Sequence, residues 1–415
     1  MKTTTTSLAV ALFLAAGTLT ACGSGENGPV VLRYSWWGTP ERAALVEQVI
    51  TRYEATHPGV DVQGSYADYD AYWQKLSTEA AGGGAPDVIQ MDFSYLREYA
   101  DKGILLDLGP HTGRELHTGD LLPGLAESGQ VADGTYAVPV SANTYAVAYD
   151  KQALAAAGIP APAEDWSWAD FAATAGSVTG AGGRPGATDF SLQSYVLEAQ
   201  LIQQGREFYT KDGRLGFSTA ELAKFWADAT QQRAGGHLVP PERSAQVAPA
   251  SPLSAGQSAM EFCWDNMLDA VAAQSKADLG LAPVPSGGPE SAQYLKPSQM
   301  LAGYAGTEHP ERAAEFIDFL INDPGAGEVM GANRGLPATR AQRAAAKLDG
   351  TDATIAAFEE SIADRITAPP PAPPAGAGSL ELTFRRLAEN VAYGRQTPQA
   401  AAEEFTAEAD SLLRR

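Results

Sequence analysis

The sequence predicts an α/β protein of two lobes, in which mostly parallel sheets are flanked by helices. Three observations carry this expectation. Between residues 30 and 91, short β-type runs alternate with amphipathic helical segments, which is the signature of strands joined by helical crossovers. The chain has 415 residues, and 394 remain once a leader of 21 residues is set aside. That length exceeds what one hydrophobic core serves, so two cores are expected. Only two cysteines occur, Cys22 and Cys263. With Cys22 committed to an anchor, no internal disulfide can form and the fold must rest on its own cores.

The leader comes first. Met1-Lys2, a Thr/Ser run, the apolar stretch Leu8 to Ala16 and the small-residue zone Gly17 to Cys22 have the layout of an export signal. The apolar part is too short to span a bilayer, which takes roughly 20 residues. Leu19-Thr20-Ala21-Cys22 resembles a bacterial lipobox, in which the cysteine is acylated and becomes the new N-terminus. Acyl methylenes at roughly 0.8 kcal/mol each would then hold the protein on the outer membrane leaflet. Residues 22–29 are small and polar, as a tether should be. Gly23 to Gly28 matches the glycine spacing of a dinucleotide fingerprint, but it follows a leader instead of a strand and opens no helix, so no nucleotide site is expected.

Val30 to Trp37 reads as a strand ending at Gly38. Pro40 to His57 reads as a helix, with Ala44, Leu45, Val49, Ile50 and Tyr53 at helical spacing, and Pro58-Gly59 stops it. Val60 to Tyr66 alternates as a second strand, Tyr69 to Ala81 forms a second helix that Gly82-Gly83-Gly84 ends, and Asp87 to Met91 is a third strand. Ligands of such sheets bind beyond the carboxyl ends of the strands. The residues there are Trp36 and Trp37, Tyr66 with Asp68, and Asp92 with Phe93. Far downstream, Pro369 to Pro374 is a Pro/Ala-rich segment whose stiffness suits a surface connector.

Charge and motifs narrow the function. Against 29 Lys and Arg stand 50 Asp and Glu, a net charge of −21 that becomes −22 when Lys2 leaves with the leader. Such a surface argues against nucleic acid and against charge-driven binding to anionic membranes. Five His and one free Cys leave little room for a structural zinc site, and no CxxC, HExxH or EF-hand pattern is present, so neither metal nor cofactor is expected. No GxSxG elbow or Walker A motif appears, and Cys263 reads as a small buried filler instead of a nucleophile. A secreted glycosidase would need an acid and a base roughly 5 to 10 Å apart, which spacing along a chain does not display.

Several segments together resemble a known family. They are Trp36-Trp37-Gly38, Tyr53-Glu54 with His57 to Val62, Ala85 to Ile89, and Gly103 to Leu108, then Gly134 to Val140 with Tyr149-Asp150-Lys151 and Ala157 to Pro160, Thr307 to Asn322, Gly335-Leu336-Pro337 and Gly394 to Thr397. In this order they are similar to the family 1 extracellular solute-binding proteins, the group that includes maltose-binding protein. The resemblance implies the type II periplasmic-binding-protein-like fold, with the ligand between lobes joined by chain crossings near 141–143, 296–299 and 335–338. Lobe 1 would be 30–140 with 298–335, and lobe 2 would be 141–297 with 336–415. It further implies a monomeric, non-enzymatic lipoprotein of an ABC importer that captures a sugar or short oligosaccharide. Its partners would be permease subunits and their ATPase, with membrane contact through the lipid anchor alone. A non-sugar solute such as an iron chelate, a polyamine or a peptide is the alternative within this role.

Sugars offer apolar C–H faces and a rim of hydroxyls, so a site needs aromatic platforms and planar polar groups. Trp36 and Trp37 are adjacent in a strand, so only one can face a cleft, and Trp37 lies nearer the strand end. Asp68 and Asp92 stand where an Asp also caps a helix. The resemblance adds Asn143 at the first crossing, Trp264 as a stacking platform with Asp265 or Asn266 pairing with hydroxyls, and Tyr195, Gln299 and Arg334 as further contacts. Phe262 and Cys263 depart from the small residues that the family pattern has before its cleft tryptophan.

Overall fold

In the computed structural model, residues 28–275, 277–286 and 291–413 are described. The expected export signal, Cys22 and most of the tether lie outside these residues. β1 (Val30–Trp37) is followed by α1 (Pro40–Thr56), whose first turn carries Pro40 and is capped by the Thr39 hydroxyl accepting from the Arg42 amide. β2 (Val60–Ala67), α2 (Tyr69–Ala81), β3 (Val88–Met91) and α3 (Phe93–Asp101) follow. Asp68 and Asp92 cap α2 and α3 by accepting from the amides of Ala71 and Ser94.

On α1 the buried stripe is Ala43, Val46, Val49, Ile50 and Tyr53. Ala44 is exposed and Leu45 half-buried, which corrects two of the five expected core positions. The run Ala43-Ala44-Leu45-Val46 allows two neighbouring stripes, and packing onto the sheet selects one of them.

β1 pairs in parallel with β2 and β3. Beyond them the pairing reverses. β4 (Gln130–Val131) and β5 (Gly134–Thr135) make a separate small ladder. β6 (Val138–Asp150) is 13 residues long and runs antiparallel to β7 (Met260–Trp264), β8 (Leu279–Pro283), β9 (Leu295–Gly303) and β10 (Leu336–Pro337). The main path is β10-β6-β9-β3-β1-β2, with β7 and β8 attached to β6. The α/β class and the two lobes stand as expected, but the sheet is mixed, not mostly parallel. β1 to β3 are joined by helical crossovers and run parallel, but β9 enters beside β3 and β6 beside β9, each from the opposite direction.

β6 ties the cores together. Val138, Val140 and Ala142 from its first half join Leu32, Tyr34, Trp36, Phe316 and Ile317. Tyr145, Val147 and Tyr149 from its second half join Phe171, Phe190, Trp226, Phe262 and Phe384. A further cluster covers the opposite face of the first sheet with Trp37, Tyr72, Trp73 and Tyr99. Where the halves of β6 meet, three chain segments lie side by side: Ser141 is registered with Gln299 and Pro337, and Ala142 with Pro297 and Leu336. The hydroxyls of Ser141 and Ser298 approach to 2.6 Å, and both close on the Arg334 carbonyl. Gly335 has φ +97°, and a Cβ there would stand 2.9 Å from Ser298 Oγ. Only glycine takes that backbone without strain.

Candidate functional site

A cavity of about 690 Å³ opens between the lobes at these crossings. One wall carries Arg42 and Asp92; the other carries Trp264, Asn266, Asp269 and Asp352; the floor is Asn143, Lys296, Ser298, Gln299 and Arg334. Asn143 Oδ1, Gln299 Oε1 and Arg334 Nε make no hydrogen bond within the protein although all three are buried atoms. Buried polar atoms normally find partners, so this floor is built to receive polar groups.

Of the residues expected from the sequence, Asp92, Asn143, Trp264, Asp265, Asn266, Gln299 and Arg334 border this cavity. Phe93 and Tyr195 border a smaller chamber of about 80 Å³ next to it, which shares Lys296 with the main cavity. Trp36, Trp37, Tyr66 and Asp68 border neither, and these four are corrected here. The β1 strand has packed residues on both faces, so alternation sends Trp36 into one core, fully buried, and Trp37 into another against Tyr69, Tyr72 and Trp73. Tyr66 stacks on Trp36 from the surface, and Asp68 is spent on capping α2. Asp265 is corrected in part. It is fully buried, and its oxygens accept from the amides of Thr144 and Asn266 at 3.1 and 2.7 Å, so it braces β6 and leaves the exposed Asn266 to face the cavity. Burial, and after it the adjoining Glu359 carboxyl, push the Asp265 carboxyl well above its ordinary range, which suppresses its charge.

Trp264 borders the main cavity, next to Tyr195 and Lys296, which border the smaller chamber. Its ring lies 4.9 Å from that of Tyr195 and 5.1 Å from that of Tyr145, edge to face in both cases. Lys296 Nζ sits 4.8 Å from the Trp264 ring and 5.2 Å from the Tyr195 ring, and donates to the Tyr195 hydroxyl at 3.3 Å. Burial opposes the lysine's charge, but Tyr195, with Asp92 and Glu198, outweighs it and holds the ammonium above its usual range. In the smaller chamber burial pushes Glu198 up to about 7, although the Tyr294 hydroxyl bonded to it at 3.1 Å pulls the other way. Pro370, Pro371 and Pro373 of the Pro/Ala-rich segment wall this chamber.

Sequence reasoning missed Lys296, Arg42, Glu198, Asp269 and Asp352. A signal existed only for Lys296, the single charged residue of the run Leu295–Gly303, at a segment expected to cross between lobes. Cys263 is buried among lobe-2 apolar residues, and burial raises its thiol pKa, as befits a filler. Among the described residues no helix is long and apolar enough to cross a membrane, and no group of three or more potential metal ligands is found.

Comparison with known proteins agrees with the architecture. An uncharacterized lipoprotein of Streptomyces antibioticus is 30% identical over 337 residues, 76% of this chain and 72% of its own length. The solved family 1 extracellular solute-binding protein of Alicyclobacillus acidocaldarius is 30% identical, with a TM-score of 0.80 over 94% of this chain and 99% of that one. A periplasmic oligogalacturonide-binding protein of Yersinia enterocolitica, 20% identical, shares the fold with a TM-score of 0.81 over 93% of this chain and 99% of that one. The profile of the bacterial extracellular solute-binding proteins matches residues 36–327, well over half of the sequence. The chain belongs to that family, the solute-capturing components of ABC transporters.

Proposed function

We propose that the protein captures a sugar or short oligosaccharide outside the cytoplasm and hands it to the permease subunits of an ABC importer, whose ATPase drives uptake. The observation that carries this reading is the pairing at the lobe junction of an aromatic platform, Trp264 beside Tyr195, with planar polar groups that have no partner in the protein, Asn143 and Gln299. The platform suits a sugar's C–H face and the amides suit its hydroxyls. The lobes are 30–140 with 298–335 and 141–297 with 336–415, moving about the three crossings. Contacts from Arg42 and Asp92 on one side and Trp264 and Asn266 on the other are completed together only when the cleft closes. Ligand therefore shifts the balance toward closure by its differential affinity, and about 5.5 kcal/mol would carry it from 1:99 to 99:1. In this reading the protein is a monomer, anchored through Cys22, and performs no catalysis.

A thermal-shift screen against sugars, amino acids, polyamines and ferric chelates tests the proposal, with calorimetry on each hit. A ligand at 100 times its dissociation constant adds about 2.7 kcal/mol of stability. A sugar shift that Trp264→Ala weakens supports the reading; shifts confined to another class of solute overturn the sugar assignment.

A further inference from the structure

Two arginines face the cleft beside the crossings, and neither has a carboxylate partner among the described residues. Arg42 is held by neutral acceptors: Nε donates to Asn333 Oδ1 at 2.8 Å, and its two terminal nitrogens to the carbonyls of Asn333 at 2.9 Å and Trp37 at 3.5 Å. Arg334 is 6% exposed; it donates to the Tyr34 hydroxyl at 3.2 Å, and its Nε has no partner at all. Both border the same cavity, and Lys296, likewise without a carboxylate within ion-pair reach, borders it as a third cation. Arg42 is bonded to Asn333, the residue next to Arg334, so the two guanidiniums belong to one corner of the cavity; burial, and then the like charge of Arg334, lower the pKa of Arg42.

This is unexpected in a chain with 50 acidic and 29 basic residues. Several other arginines of the chain meet carboxylates, as Arg233 meets Asp189 and Arg52 meets Asp323. A partly desolvated guanidinium without a counter-charge offers the planar fork of donors that carboxylates and phosphates fit, and two of them border this cavity. Asp269 and Asp352 also border the cavity, and carboxylates there suit hydroxyl donors.

We infer that the solute is an acidic saccharide, whose anionic group is held by Arg42 and Arg334 while its hydroxyls meet Asn143, Gln299 and the carboxylates across the cleft. This rests on the sugar reading above and sharpens it. A sugar carboxylate and a sulfate or phosphate ester present the same chemistry to the arginines.

Calorimetry on the native protein distinguishes them, using uronic acids with their short oligomers, sugar sulfates and sugar phosphates, each beside its neutral parent, and the methyl ester of each uronate. One acidic class should bind at least about tenfold more tightly than its neutral parent, as loss of a charge-assisted hydrogen bond commonly costs. The uronate methyl ester should lose the same factor if the group is a carboxylate. Added salt should weaken the acidic ligand more than the neutral one, and Arg42→Gln should abolish the preference. The ester comparison and the salt dependence need no variant, so a misfolded Arg42→Gln protein leaves the test intact. A neutral sugar that binds as tightly as its acidic counterpart overturns the inference and leaves sugar capture standing; then the arginines serve Asp269 and Asp352 across the closing cleft. Binding of amino acids, polyamines or chelates with no sugar bound removes both.

Discussion

Trp264 combines two environments in one side chain. One edge packs on Tyr145 and Tyr195, and the rest faces the main cavity under Lys296. Its half-buried position means that truncation removes a ligand platform more than a core contact. Trp264→Ala should therefore weaken ligand binding by about ten- to a hundredfold in calorimetry, in line with aromatic anchors at binding sites, while the melting temperature of the free protein falls by only a few degrees. Glu198 makes the opposite kind of prediction. Its carboxyl titrates near 7, above the ordinary 4.5, because burial disfavours its charge. A carboxyl raised on folding contributes stability that is fully present below its unfolded pKa and is lost as pH rises through the folded value. Melting curves between pH 5 and pH 8 should show the native protein losing stability relative to Glu198→Gln, whose amide does not titrate; parallel curves would contradict the assignment. At Gly335 the backbone decides. With φ +97° and Ser298 Oγ and Asn143 Oδ1 at 2.9 and 3.0 Å from any Cβ, Gly335→Ala should cost about 1–3 kcal/mol in urea unfolding and disturb the crossings directly.

The Pro/Ala-rich segment links lobes as well as helices. Thr367 is bonded to the Gln293 carbonyl at 2.8 Å; Ala372 is buried in the cluster of Trp37 and Tyr99, and its carbonyl accepts from Arg97 Nε at 3.0 Å; the helix Ala377–Ala392 then plants Leu380 and Phe384 in the other core. The segment is a stiff strap across one end of the cleft, and its prolines wall the smaller chamber. Arg97→Ala removes the side-chain bond to the Ala372 carbonyl, so exchange of the Ala377 amide, which is bonded to the Pro374 carbonyl, should rise about fivefold, the effect of one hydrogen bond near 1 kcal/mol. From the sequence this strap reads only as a connector, because its partners Arg97 and Gln293 are distant along the chain. The same contrast runs through the molecule. β1 to β3 and the two helices between them are legible within one residue, since local signals bound them: Gly38, Pro58-Gly59 and the glycines 82–84. The expectation that one of Trp36 and Trp37 faces a cleft failed because period two says which side a residue takes, not whether that side is covered. Asn143, Gln299 and Arg334, which the family resemblance named as ligand contacts, border the cavity. Arg42 was invisible because its neighbours Asn333 and Arg334 lie about 290 residues away.

For the molecule as a whole, the placement of the site at the crossings determines how binding is felt. β6 contributes its first half to one core and its second half to the other, and Ala142 and Asn143 near its middle lie at the cavity floor. Lobes joined through such a midpoint can change their relative angle with small adjustments at few residues, which is hinge closure. The charges are unevenly spread, with Arg42 and Asp92 on one wall, Arg334 and Lys296 on the floor, and Asp269 and Asp352 on the helices of the other wall. Bringing the walls together without a ligand sets opposite charges facing across water, a weak pull that salt screens. A ligand that touches both walls replaces that water with direct bonds and makes closure favourable. Small-angle scattering should therefore show the radius of gyration fall when the saccharide is added, and fall by the same amount at low and high salt once the site is saturated. In the free protein, added salt should leave the lobes open. A free protein as compact as the saturated one would mean that closure precedes binding, and ligand would then select a state already formed.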